Sequence, residues 1–171
     1  MSEVKDYNNL KSENNTEILK HTLITLIDVA STKTSYDYAW SSLKKLIKEL
    51  QVNYDFLMYI HIADIEDLRY SVDGIKIEDK INNVDQRKIG EVIQNLVDLL
   101  KKYLGKKAGY FFISEFREIL GDDYNKILKD MGVDLRLIDL QNELRGMNSG
   151  EYHLKEDYNS NIAFIHKKER Q

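Results

Sequence analysis

The stretch Asn95 to Leu120, NLVDLLKKYLGKKAGYFFISEFREIL, repeats without a gap the apolar pattern of Thr22 to Ile47. Leu96, Val97, Leu99, Leu100 and Tyr103 fall on Leu23, Ile24, Leu26, Ile27 and Ala30. In the second part Phe112, Ile113, Phe116, Ile119 and Leu120 fall on Ala39, Trp40, Leu43, Leu46 and Ile47. Each stretch reads as a helix, a short polar break and a second helix. Self-similarity of this kind decides how the remainder is parsed, although two amphipathic helices also match in some register by chance.

Upstream of the first pair, Ser2 to Asn14 has no apolar periodicity, and residues 1–14 read as a mobile arm. Leu19, Leu23, Leu26, Ile27 and Ala30 then recur at helical spacing, with Asn14 or Asn15 available as a cap and Glu17 in the first turn, where the helix dipole favours an anion. That helix is expected to end near Ser31. Thr34 followed by Asp37 is a capping-box-like start for a second helix, whose inner face is Tyr36, Ala39, Trp40, Leu43, Ile47 and Leu50.

After Gln51 the period shortens. Val52, Tyr54, Phe56, Met58, Ile60 and Ile62 alternate with Asn53, Asp55, Leu57, Tyr59 and His61, which predicts a strand, with a buried helix as the rival. Asp64 to Asp67 is an acidic break. In Tyr70 to Ile77 the Asp73-Gly74 pair predicts a hairpin with a two-residue turn, because both central residues of that turn need positive φ.

Downstream, Asn82, Asn83 and Asp85 can cap a helix over Gln86 to Leu104 with the stripe Ile89, Ile93, Leu96, Leu100 and Tyr103. Gly105, Gly121 and Gly132 each follow a run of helical periodicity and mark three stops. Val133, Leu135 and Leu137 alternate like the first strand, yet the pattern through Ile138, Leu140 and Leu144 is equally helical. Tyr152 to Ile165 can form a second hairpin. The expected fold is therefore α+β and helix-rich, a tandem pseudo-repeat of helix–helix–strand–hairpin units over 15–83 and 84–168 that share one core, followed by a frayed tail at 169–171. A mostly α chain and a tandem winged-helix-like chain are the alternatives.

The 171 residues suffice for one well-packed domain or two small ones sharing a core. No apolar run approaches the roughly 20 residues of a membrane span, and Met1 to Leu10 lacks the apolar segment of a secretory signal. A cytoplasmic location without membrane insertion is the expectation. The chain has no cysteine, which excludes disulfides, thiolate nucleophiles and thiolate metal sites. Its net charge of −4 resides before Val84, so neither half presents a polybasic surface for a phosphate backbone.

No phosphate loop, zinc-protease helix, nucleophile elbow or calcium-loop spacing is present, so no cofactor, metal ligand or catalytic residue is assigned. His61 with Asp64 has the residue types of a general base and its orienting carboxylate, but a strand histidine facing water beside an acidic loop is the reading the pattern favours. Lys106, Lys107 and Gly109 at a helix junction could meet an anion, and the acid pairs Glu66-Asp67 and Asp122-Asp123 a divalent ion, but solvated turns and caps explain them first.

Aromatic residues cluster at the equivalent helix starts of the two halves. Trp40 and Phe112 lie on the apolar stripes, whereas Tyr36, Tyr38, Tyr110 and Phe111 are candidates for a partner surface. These features point to a non-catalytic regulatory or protein-interaction module of prokaryotic signalling character, binding another protein or itself as a homo-oligomer. One alternative is a nucleic-acid-binding regulator of winged-helix type, disfavoured because Val52 to Leu68, its would-be recognition helix, is acidic. Another is a small-ligand sensor, with Tyr59, His61 and Tyr103 as pocket candidates.

Overall fold

The computed structural model describes residues 14–68 and 74–149. Helix α1 (Asn15–Lys33) starts where Asn14 Oδ1 accepts a 3.0 Å hydrogen bond from the Glu17 N–H. It buries Leu19, Leu23, Leu26, Ile27 and Ala30, the expected stripe, together with Ile18 and Val29. Helix α2 (Tyr36–Leu50) follows directly. Its cap is Ser35, one residue beyond the expected Thr34, and Ser35 Oγ accepts from the Tyr38 N–H at 3.2 Å. Ala39, Trp40, Leu43, Ile47 and Leu50 are buried as their spacing predicts, while Tyr36 at the open end stays 49% exposed.

The expected strand over Val52 to Ile62 shrinks to its last three residues, β1 (Ile60–Ile62), preceded by a 3-10 turn at Asp55–Tyr59. Leu57 is fully buried whereas Val52 and Met58 are largely exposed, the reverse of the alternation that suggested a strand. Gln51 Nε2 donates to the Leu57 carbonyl at 3.2 Å, which helps hold this turn. A one-turn helix α3 (Ile65–Leu68) comes next. Strand β2 (Ile75–Ile77) pairs antiparallel with β1, Ile60 opposite Ile77 and Ile62 opposite Ile75. The hairpin turn at Asp73-Gly74 depends on Tyr70 to Asp73, which lie outside the described residues; the observed partner of Ile75–Ile77 is β1. A second 3-10 turn, Asp79–Asn83, leads into α4.

Helix α4 (Gln86–Asp130) is three helical segments joined at Gly105 (φ 79°, ψ 175°) and Gly121 (φ 82°, ψ 164°). Backbone of that kind is open essentially to glycine alone, so two expected stops are corners a single residue long. Past the third segment, the Gly132 N–H bonds to the Lys129 carbonyl and the Val133 N–H to the Leu128 carbonyl, a Schellman closure with Gly132 at φ 97°. The segments return on one another. A Cβ on Gly109 would stand 2.6 Å from the Lys101 carbonyl oxygen, and one on Gly90 would stand 3.0 Å from the Met131 carbonyl carbon.

Helix α1 packs along α4 and against α2, so the core runs across the expected boundary at residue 83. Phe112 and Phe116, stacked with centroids 6.1 Å apart, are fully buried in it. Three side-chain contacts fasten these elements. Asn15 Nδ2, almost wholly buried, donates to the carbonyls of Ile81 (3.1 Å) and Val84 (2.8 Å). Lys33 pairs with Glu115 at 2.6 Å, and the His21 ring stacks on Tyr124 with centroids 3.9 Å apart.

The described residues as far as Leu135 form one compact unit, and those from Arg136 a second. Helix α5 (Leu135–Ser149) takes the place of the strand expected at Val133 to Leu137. The strand of the first half thus has no strand at the corresponding place in the second. On α5, Leu140 and Leu144 are about half exposed while Asp139 and Asn142 are buried. The expected arm, the second hairpin at Tyr152 to Ile165 and the tail at 169–171 lie outside the described residues, apart from Asn14. The chain is thus helix-rich with a two-stranded antiparallel sheet.

Candidate functional site

Residues four apart on a helix lie one above another, and Trp40, Lys44 and Lys48 form such a row on α2, with Gln51 beyond them. Both ends of the row are fixed to the backbone around β1. Trp40 Nε1 donates to the Ala63 carbonyl at 2.9 Å, and Gln51 Nε2 to that of Leu57. Between these anchors the surface opens into two adjoining hollows that share Lys44 and Lys48. The larger, about 610 Å³, has Trp40, Ser41 and Lys45 on the α2 side and Asp64, Ile65, Glu66 and Asp67 opposite. The smaller, about 220 Å³, is completed by Ile47, Gln51, Ile60, His61 and Ile62.

The walls carry opposite charge. Lys44 and Asp64 join across the groove at 2.5 Å. Lys45 lies 3.8 Å from Glu49, with its ammonium 5.6 Å from the centre of the Tyr103 ring. Among the described residues Lys48, Glu66 and Asp67 form no ion pair. At the β1 end, His61 Nε2 lies 2.9 Å from Glu78 Oε1, and Lys80 approaches the other oxygen of that carboxylate at 3.3 Å. The hydrogen bond from His61, reinforced by Lys80, holds the Glu78 carboxyl below its ordinary range. His61 therefore meets Glu78, and Asp64 meets Lys44; the base-and-carboxylate pair suggested by their sequence proximity is not formed.

No family model, curated protein or solved structure matches this chain.

Of the pocket candidates, His61 lines the groove, whereas Tyr59 and Tyr103 stand outside its walls. Tyr59 lies beneath the Lys80 ammonium, 4.8 Å from the ring centre, and Tyr103 beneath Lys45. Of the partner-surface candidates, Tyr36 and Tyr38 are exposed at the start of α2. Tyr36 stacks on Trp40 with centroids 5.9 Å apart, which continues the row beyond the groove. Burial and the charge of Asp28 push the Tyr36 phenol above its ordinary value. Phe111 is half-buried in α4, and the side chain of Tyr110 lies outside the described residues. Gly109 is accounted for by its close approach to Lys101.

Val52 to Leu68 forms a 3-10 turn, a strand and one helical turn, so the first half holds no continuous recognition helix there. Among the described residues no three His, Asp or Glu side chains gather as metal ligands would, and no helix is long and apolar enough to cross a membrane. Sequence reasoning missed Lys44 and Lys48. Their signal is the four-residue spacing from Trp40, combined with the acidic run from Asp64 to Asp67.

Proposed function

We propose that this chain is a protein-interaction module, regulatory rather than catalytic, whose working surface is the groove between α2 and β1. The observation that carries this reading is that Lys48 on one wall faces Glu66 and Asp67 on the other, none of the three in an ion pair among the described residues, with the apolar groups Trp40 and Ile65 lining the same hollow. Facing charges of both signs select the orientation and identity of a partner. A cytoplasmic signalling role, with another protein or a second copy as partner, is the setting this reading assigns.

Photo-crosslinking tests it. A crosslinking residue at Ser41, inside the groove, should yield a discrete protein adduct in cells, and the same residue at the exposed Glu91 on α4 should not. Lys44→Glu together with Lys48→Glu should abolish the adduct. Adducts of equal yield from both positions, or none from Ser41, would overturn the proposal.

A further inference from the structure

The hydrogen bonds that flank the sheet show which way β1 turns its peptide groups. The Ala63 N–H donates to the Gly74 carbonyl at 2.8 Å, and the Glu78 N–H to the Tyr59 carbonyl at 3.0 Å. In an antiparallel ladder such pairs alternate with pairs that turn their amides outward. Tyr59, His61 and the Ala63 N–H thus address β2, the Ala63 carbonyl is taken by Trp40, and Ile60 and Ile62 face away from β2. The Ile60 N–H is used by the preceding 3-10 turn, donating to Leu57. The Ile60 carbonyl and both backbone groups of Ile62 remain, with no strand beside them among the described residues.

These three groups lie along the smaller hollow. Ile60 and Ile62 project on one side of the strand and His61 on the other, so a hollow bounded by all three runs along the strand's edge rather than under one face. From Trp40 to Gln51 the α2 wall spans about 16 Å, the length of about five extended residues.

We infer that the outer edge of β1 accepts an extended segment of a partner protein as a third strand, with an acidic side chain at the Lys48 end and a basic one at the Glu66 and Asp67 end. This rests on the groove being an interaction surface. Main-chain hydrogen bonds supply the affinity in strand addition, and flanking pockets supply the selection. The helix beside this edge decides between occupants. A second copy pairing through the same edge would bring its own α2, fastened there by Trp40 and Gln51, into the same space, whereas a single extended segment brings no such helix. Among the described residues no carboxylate pairs with Lys48, and an acidic side chain of the segment supplies one.

The test is selection of random seven-residue peptides displayed on phage against the full chain. Ile62→Pro is the first variant, since it removes an outward N–H and leaves the β2 ladder its donors. Selected peptides should carry acid and base at opposite ends and lose affinity by about tenfold or more with Ile62→Pro. Lys48→Glu should shift the selected charge at that end from acid to base, and bound peptide should slow hydrogen exchange at the Ile62 amide. If Ile62→Pro does not fold, the charge reversal and the Ile62 amide decide.

Equal binding to wild type and Ile62→Pro, an unchanged Ile62 amide, or self-association through this edge in place of peptide binding overturns the inference. A Ser41 adduct that persists in Ile62→Pro removes strand addition and leaves the interaction groove standing. Failure of both the selection and the Ser41 crosslink removes both.

Discussion

Replacing Gly90 with alanine tests how α4 closes on itself, and the sign of the effect decides the matter. Gly90 is buried in the first segment of α4, facing the end of the third. An alanine Cβ there would stand 3.0 Å from the Met131 carbonyl carbon, closer still to its oxygen, and 3.3 Å from the Met131 Cβ. The obstacle is main chain, fixed by the Met131 N–H bond to Ile127 and the closure at Gly132, so no rotamer change relieves it.

In a helix with free space the same substitution stabilises by about 1 kcal/mol, because alanine is the better helix former. Forcing a methyl group into packed structure costs about 1–3 kcal/mol, and a backbone contact belongs at or above the top of that range. The net expectation is a loss of about 2 kcal/mol, which for a chain of this size lowers Tm by about 4–8 °C. Urea unfolding followed by circular dichroism, with a parallel thermal melt, measures both. A gain near 1 kcal/mol would mean that the first and third segments do not touch at Gly90.

Three further outcomes are expected. Asn15→Asp should destabilise by about 2 kcal/mol or more, and by more than Asn15→Ala, because an ionised carboxylate cannot donate to the Ile81 and Val84 carbonyls; equal unfolding midpoints for the two variants would contradict this. Gly121→Ala should cost about 2 kcal/mol, and Gly121→Asn should be no better, since φ 82° with ψ 164° lies outside the region that asparagine tolerates; a rescue by asparagine in the same assay would refute that geometry. Because the Glu78 carboxyl is held below its ordinary range, its contribution to stability is present above that range and is lost as pH falls through the folded-state value. His61→Ala should move the Glu78 titration upward when followed by NMR of the side-chain carboxyl, and an unmoved titration would show that the His61 contact does not act on it.

The helices were legible in the sequence because their limits are set locally. Asn14 and Asp85 cap through their own side chains, and Gly105, Gly121 and Gly132 supply backbone angles that other residues avoid. The stretch after Gln51 misled because its alternation is real in composition but not in structure. Tertiary burial of Leu57 and the Gln51 bond to its carbonyl favour a 3-10 turn, and a three-residue strand is too short to leave a period of its own. The α5 segment shows the same ambiguity, since Val133, Leu135 and Leu137 fit either period. The groove stayed hidden for a different reason. Lys44 and Lys48 resemble any solvated helix flank until Trp40 and Gln51 are seen to fasten that flank to the chain around β1.

The indole that anchors the groove is the chain's single tryptophan, 4% exposed and bonded to the Ala63 carbonyl. All tryptophan emission from this protein therefore originates at the wall of its candidate site. The molecule carries a built-in optical gauge: whatever enters between α2 and α3 alters the surroundings of the one fluorophore excited at long ultraviolet wavelengths, and occupancy becomes readable without any attached dye.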